Sequence, residues 1–249
     1  MSNGRMQLNV RLDGVPIDPE LGPLAAYAEN ASIGGSNSQR AYDIILGAIL
    51  NRVIPSGQRL AEIPVARAIA SSRTPVREAL LRLEADGFVK SEPRLGMVVA
   101  GNTLESFAEI YEVREVLEGL AARLAARYAR STDIAAMEKI IAESLAPSDS
   151  HDTAQLRSLN TRFHEAIHSC ARNNQLQQTL KHLVNRLRLS PISAYDASGR
   201  AVHAIEEHRA IVQAIAAHDE ERAAELTSAH IRRDREERLA QMAIVDLRR

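Results

Sequence analysis

Several residue types are scarce in this sequence of 249 residues. It has no tryptophan, a single cysteine (Cys170) and only 3% aromatic residues. One cysteine cannot form an intramolecular disulfide, so the sequence gives no sign of an oxidising compartment. It also lacks a run of about 18 apolar residues that would cross a membrane, and its start lacks the basic and apolar blocks of a signal peptide. These absences predict a cytoplasmic protein without a membrane partner.

The composition is otherwise that of an ordinary soluble globular protein. Hydrophobic residues make up 45% of the chain and charged residues 25%. Alanine, leucine, isoleucine, arginine and glutamate recur throughout, and these residue types favour helices over strands. We therefore expect a mainly α fold.

Charge and histidine are distributed unevenly. Residues 38–100 carry nine Lys or Arg and six Asp or Glu, whereas the segments on either side carry a small acidic excess. All eight histidines lie between His151 and His230. A cluster of cations can bind an anionic partner even when, as here, the net charge of the whole chain is −1. The chain therefore divides into parts with different chemistry.

The N-terminal segment 1–37 is rich in glycine and proline. It contains eight of the chain's 21 Gly and Pro residues and shows no lasting periodicity. This pattern predicts a flexible N-terminal arm, with a short helical piece around residues 24–28.

Residues 38–100 show three helical patterns. The first begins at Ser38, a candidate N-cap, and ends at a turn that contains proline and glycine. A short helix is expected from Pro64, whose backbone suits a first turn. A third helix is expected from the candidate N-cap Thr74 to Gly87.

Two short β-like runs follow these helices, at residues 88–90 and 97–99. The turn-forming residues 92–96 between them predict a small β-hairpin. Three helices and a hairpin in this order indicate a winged helix-turn-helix. In such a domain the second helix of the motif enters the major groove of DNA.

The expected recognition helix has two arginines at its leading end. Arg73 and Arg77 can each bind O6 and N7 of guanine, while Thr74 and the helix N-terminus suit a phosphate. Arg94 lies at the predicted wing tip, where Gly96 allows close approach to the minor groove. The alternative is a solvated face on which these arginines pair with nearby glutamates. With two further phosphate candidates, the predicted DNA-binding residues are Arg59, Arg67, Arg73, Thr74, Arg77, Arg94 and Gly96.

This region resembles the DNA-binding domain of GntR-family transcriptional regulators. The resemblance is carried by three stretches, PSGQRL at 55–60, SRTPVREAL at 72–80 and LEADGFV at 83–89.

The resemblance implies that Arg73 and Arg77 read bases, that Thr74 touches the DNA backbone and that Gly96 marks the wing tip. One departure is that residues 63–64 are Ile-Pro, where some family members place an operator-contacting arginine. The operator sequence is therefore not carried over from the family.

After Gly101 the pattern is helical to the end. Six connected amphipathic helices are enough for an independent domain, so we expect residues 101–249 to form an all-α antiparallel six-helix bundle. The predicted helices span about 103–129, 132–146, 152–171, 174–190, 200–217 and 219–245.

Three histidines and an asparagine in this region form a candidate metal site. Asn160 and His164 lie one turn apart on one helix face, and His208 and His230 fall on the inward faces of later helices. These groups can converge between helices, where bundles commonly hold metals. Three histidines suit Zn, Ni, Co, Fe or Mn better than Mg or Ca. The alternative for each of these histidines is an ordinary hydrogen-bonded residue. We assign that role to His168 and to the other four histidines of the chain.

This order of residues is similar to the all-helical FCD effector domain of the FadR-like branch of the family. The resemblance implies a homodimer and a divalent transition metal, zinc first, bound by Asn160, His164, His208 and His230. Asn160 is neutral where many relatives have Asp, which implies weaker binding or a different metal. The matching segments are 114–118, 160–164, 173–174, 207–208 and 219–230.

A small carboxylate is the effector that suits such a pocket. A metal with open coordination positions binds carboxylate oxygens, and a buried arginine can form a bidentate pair with a carboxylate. Arg114 lies beside an apolar stripe and is the predicted effector-binding residue. The alternative is an ion pair with Glu118, one turn away.

Two other functions compete with this interpretation. Residues 164–168 read HEAIH, which matches the HExxH signature of zinc metallopeptidases. The helical domain can also serve dimerisation alone. The function that we expect is a non-enzymatic, ligand-responsive repressor, whose dimer binds a pseudo-palindromic operator on double-stranded DNA.

Overall fold

The computed structural model describes residues 19–31, 33–145, 153–190, 192 and 200–246. The chain divides into two compact units between Gly101 and Asn102. The fold is mainly helical with a single antiparallel hairpin among the described residues, as the sequence predicts.

The N-terminal unit consists of four α-helices and a hairpin. Its strands pair in register from Val89 opposite Val99 to Glu92 opposite Gly96. Arg59 forms a further antiparallel bridge with Val98, so a third extended segment, not expected from the sequence, pairs with the hairpin. A 3-10 turn, Pro19–Leu21, precedes α1 (Gly22–Asn30), α2 (Asn37–Leu50), α3 (Glu62–Ala68), α4 (Arg73–Ala85), β1 (Val89–Glu92) and β2 (Gly96–Val99).

Helix α1 lies inside the segment for which the sequence predicts a flexible arm. Leu24 and Ala28 on this helix are buried, and the side chain of Asn51 donates a hydrogen bond to the hydroxyl of Tyr27 at 3.1 Å. The glycine and proline at 22–23 occupy the first turn, where proline is tolerated because its missing N–H has no helical partner. Residues 1–18 lie outside the described residues.

Two helix starts differ from the expected ones. Ser36, rather than Ser38, caps α2 by accepting a backbone N–H of the first turn. Helix α4 begins after Ser72, so Thr74 and Pro75 lie within its first turn. Proline is compatible with that position because the first four N–H groups of a helix have no partner within it.

The C-terminal unit has the six helices that the sequence predicts. Small residues of α5 allow α10 to approach closely, since a Cβ at Gly119 would lie 2.5 Å from Oγ of Ser228. The core includes the fully buried Phe163 and Ile167. The helices are α5 (Leu104–Tyr128), α6 (Ser131–Leu145), α7 (Thr153–Cys170), α8 (Asn174–Leu187), α9 (Arg200–Ala216) and α10 (Glu220–Asp246).

Among the described residues, every helix is too short or too polar to cross a membrane.

Candidate metal centre and nucleic-acid interface

The leading end of α4 presents its predicted DNA-binding residues to solvent. The side chains of Arg73 and Arg77 are each 67% exposed, and Thr74 between them is also exposed. Nε of Arg73 lies 2.5 Å from one carboxylate oxygen of Glu62, and Nε of Arg77 lies 4.0 Å from the other. Glu62, at the start of α3, thus orients the arginines. The sequence reasoning assigned it no role, although its place ahead of the recognition helix was a usable signal.

The other predicted DNA-binding residues are also exposed. Arg94 and Gly96 form the turn of the hairpin with φ angles of 69° and 78°. Arg67 lies in the last turn of α3, and Arg59 lies beside β2. This unit therefore offers separate cations on α3, on α4 and on the hairpin, the positions from which a helix-turn-helix domain contacts phosphates and bases.

Three histidines meet in the core of the C-terminal unit. His164 on α7, His208 on α9 and His230 on α10 are all buried, and each offers a ring nitrogen within 4.8 Å of the others. The Nε2 atoms of His208 and His230 are 3.3 Å apart. The face of the His208 ring stacks on Phe163, with centroids 3.9 Å apart. The fold therefore brings together all three histidines that the sequence selects.

A carboxylate orients the ring of His230. Oε2 of Glu207 accepts from Nδ1 of His230 at 2.5 Å and from Nη2 of Arg200 at 3.0 Å. Its Oε1 accepts from Nη1 of Arg233 at 2.5 Å. Burial raises the pKa of Glu207, but the hydrogen bonds from His230 and Arg233 lower it to about 2. With its proton on Nδ1, His230 presents a lone pair at Nε2.

A second carboxylate lies beside His164. Glu118 is fully buried, and its Oε2 is 2.8 Å from Nε2 of His168 and 3.3 Å from Nδ1 of His164. Its Oε1 accepts from Nε of Arg114 at 3.0 Å. Burial alone would raise the pKa of Glu118, but the two histidines and Arg114 hold it well below its usual range. His168, to which the sequence reasoning gave no site role, therefore shares a carboxylate with a candidate metal ligand.

The candidate ligands carry available lone pairs at neutral pH. Burial lowers the pKa of His164 to about 4 and that of His208 well below its usual value, so both rings are uncharged. Nε2 of His164 is buried and has no hydrogen-bond partner among the residues that the structure describes. Buried polar atoms are rarely left without a partner, which makes this atom a candidate ligand.

The geometry of the three histidines fits a metal ion. The 3.3 Å between Nε2 of His208 and Nε2 of His230 would let both atoms bind one ion, since metal–nitrogen bonds are about 2.1 Å long. Asn160, the predicted fourth ligand, is half-buried one helical turn before His164.

Arg114, the predicted effector-binding residue, is buried between two carboxylates. In addition to its bond with Glu118, its Nη1 lies 3.5 Å from Asp234. Asp234 also accepts a hydrogen bond from the hydroxyl of Tyr111, which in turn accepts from Arg238 at 3.0 Å. An effector that binds Arg114 therefore competes with two carboxylates that already balance its charge.

The two units together define a DNA-binding transcriptional regulator, with a helix-turn-helix followed by a hairpin and a separate helical domain. Two family models match the chain, the bacterial regulatory proteins of the gntR family over residues 37–99 and the FCD domain over residues 109–233. The chain belongs to the GntR family of transcriptional regulators, and its FCD domain fits the FadR-like branch.

Individual relatives agree with this assignment. The chain is 30% identical over 195 residues to the HTH-type transcriptional regulator YdhC of Bacillus subtilis. The aligned region covers 78% of this chain and 87% of YdhC. It is 28% identical over 192 residues to a D-xylose utilization operon transcriptional repressor of Paenarthrobacter nicotinovorans, covering 76% and 83% of the two chains. The solved structure of McbR/YncC from Escherichia coli has the same fold, with a TM-score of 0.67 and 22% identity over 84% of this chain and all of McbR/YncC.

The family and its members are regulators and not enzymes, which excludes the peptidase interpretation of residues 164–168. The side-chain positions agree with this conclusion. Glu165, the base in such a signature, is exposed, whereas His164 and His168 are buried.

Proposed function

We propose that this regulator senses a small organic acid through a metal held in its FCD domain. The observation that carries the proposal is the convergence of three buried histidines, two of which have Nε2 atoms 3.3 Å apart. His164, His208 and His230 would hold the metal, with Asn160 as a fourth ligand. Zinc is the first candidate, and Ni, Co, Fe and Mn share its preference for imidazole.

A carboxylate is the ligand class that this site would accept. A transition metal with open coordination positions supplies a Lewis acid to which carboxylate oxygens bind. The chain itself supplies two carboxylates: Glu207 orients the ring of His230 through a hydrogen bond, and Oε2 of Glu118 lies 3.3 Å from Nδ1 of His164. Such outer contacts keep each ring nitrogen directed at the metal and set its basicity.

The N-terminal unit would bind the operator. Arg73 and Arg77 would read bases from the exposed start of α4, and Thr74 would contact phosphate. Arg94 and Gly96 would meet the minor groove, and Arg59 and Arg67 the phosphates. A homodimer would place two such units on the halves of a pseudo-palindromic operator, and the effector would bias the spacing between them.

Repression is the output that we propose. The relative from Paenarthrobacter nicotinovorans is named as a repressor, and a protein bound to its operator can repress by occluding the promoter. An effector that favours a dimer spacing unsuited to the operator would then relieve repression.

Metal analysis of the purified, untagged protein tests this proposal. Wild type, His164→Ala and His230→Ala are measured by plasma mass spectrometry, and each is then tested for binding to operator DNA recovered from a random pool. We expect about one transition metal per chain in wild type and a loss in both variants. Wild type without metal would refute the metal sensor and leave a metal-free pocket or a domain that only dimerises.

A further inference from the structure

A second basic group adjoins the histidines but is not one of the predicted site residues. Arg200, the first residue of α9, is only 5% exposed and donates through Nη2 to Glu207. Its Nε and Nη1 are buried and have no hydrogen-bond partner within the described part of the chain. A buried guanidinium with unused N–H groups is costly to maintain unless a ligand satisfies them.

The local charge leaves room for one anion. Glu207 carries one negative charge and accepts hydrogen bonds from Arg200, Arg233 and His230. The two guanidiniums carry two positive charges, so this group has a net charge of about +1 when His230 is neutral. Arg114 differs because Glu118 and Asp234 already balance its charge. Arg200 is therefore the better partner for an incoming carboxylate.

Space for a ligand lies beside this residue. Arg200 and Arg233 line a cavity of about 620 Å³ between α9 and α10, which is large enough for a small organic acid. The same cavity is lined by Glu206, Glu236 and Glu237. These three acidic side chains repel any anion, and they repel a ligand with several negative charges more strongly than a ligand with one.

We propose that Arg200 is the carboxylate-binding residue of this domain and that its ligand is a monocarboxylate. The inference rests on the proposed function in taking an organic acid as the effector, but the Arg200 site itself needs no metal. Glu207 joins the two sites, since one of its oxygens contacts both Arg200 and the ring of His230. A carboxylate that accepts from Nε and Nη1 of Arg200 leaves Nη2 bonded to Glu207, and it is thereby linked through Glu207 to a candidate metal ligand.

Acetate binding to chelator-treated protein tests the site. Isothermal titration calorimetry is carried out on the metal-free wild type, Arg200→Lys, Arg200→Gln and the control Arg222→Gln, whose side chain is exposed on α10. Lysine keeps the charge but lacks the extra N–H groups, and glutamine loses the charge. We therefore expect the affinity for acetate to be lower than that of wild type by about tenfold or more in both Arg200 variants. The control should keep wild-type affinity. Circular dichroism confirms folding, and Arg200→Lys decides the result if Arg200→Gln is unstable.

Three outcomes would overturn the inference. The first is that metal-free wild type does not bind acetate at millimolar concentrations, and the second is that Arg200→Lys binds it with unchanged affinity. The third is that Arg114→Lys, titrated in the same way, loses acetate binding while the Arg200 variants keep it. Citrate and phosphate should bind more weakly than acetate, and equal affinity would refute the preference for a single charge. Because the titration is done without metal, its failure is distinct from failure of the proposed metal sensor, which metal analysis decides by itself.

Discussion

The Nε2 atoms of His208 and His230 face each other at 3.3 Å inside the FCD domain. Glu207 accepts from Nδ1 of His230, and in the neutral ring Nε2 then carries a lone pair. Because two opposed lone pairs repel, either one of the two Nε2 atoms carries a proton or both bind the same metal ion. This pair is accordingly the most direct point at which to test the metal site.

Replacing His208 with alanine should remove the metal. The loss of one of three imidazoles leaves too few ligands for tight binding, so metal content should fall from about one per chain to near zero. His203→Ala is the matched control, because it lies on the same helix with a side chain 72% exposed. Plasma mass spectrometry makes the measurement, and equal metal content in the two variants would remove His208 from the site.

The variant Glu207→Gln should weaken metal binding without abolishing it. The amide keeps the shape of the carboxylate but loses the charge that orients the ring of His230, and such losses cost about 10- to 100-fold in affinity. Competition with a chromogenic chelator measures the change. Glu206→Gln, next to it but 68% exposed, should behave as wild type. Identical affinities in the two variants would contradict the orienting role.

In the DNA-binding domain, Arg77→Ala should abolish specific operator binding. A bidentate contact to guanine contributes about 1–3 kcal/mol of discrimination against other bases, and a dimer of the variant loses two such contacts. Arg77 is 67% exposed, so the fold should remain intact by circular dichroism. Arg40→Ala, exposed on α2, is the control. Fluorescence anisotropy on selected and random duplexes gives the specificity ratio, and an unchanged ratio would exclude base reading by Arg77.

The metal-free protein should lose stability as the pH falls from about 6.5 to about 4. In the folded state burial lowers the pKa of His164 to about 4, whereas in the unfolded state it is near 6.5. Between these values the unfolded chain binds the extra proton, so acid favours unfolding. Thermal melts across this range make the measurement. The variant His164→Leu lacks this titrating group, so its melting temperature should depend less steeply on pH. Parallel curves of melting temperature against pH for wild type and variant would contradict the assignment.

Local patterns were sufficient for most of the fold. The six C-terminal helices were predicted to within a few residues, because apolar residues recurring every three to four positions identify helices without reference to distant contacts. Helix starts were less accurate, as at Ser36 and Ser72, since several adjacent residues can serve as an N-cap. Helix α1 was predicted only as a short piece at 24–28 of a flexible arm, because its burial depends on contacts with other helices.

The candidate metal site was predictable in its residue types but not in its surroundings. His164, His208 and His230 were selectable because each lies on the apolar face of a helix. The carboxylates beside them could not be identified from the sequence, because Glu118 and Glu207 reach His164 and His230 from other helices. For Arg114 the ion pair with Glu118, one turn away on the same helix, was the alternative that the sequence offered, whereas the contact with Asp234 on α10 was not predictable.

The sequence by itself determined the helices, the helix-turn-helix with its hairpin, and the inward position of three histidines, because these follow from periodicity and turn chemistry within short stretches of chain. Only the tertiary structure decided which charged groups on different helices pair. Arg114 contacts carboxylates on α5 and α10, whereas Nε and Nη1 of Arg200 have no hydrogen-bond partner among the described residues. Such pairing depends on how helices rotate and cross, and no local pattern specifies the distance between side chains on different helices.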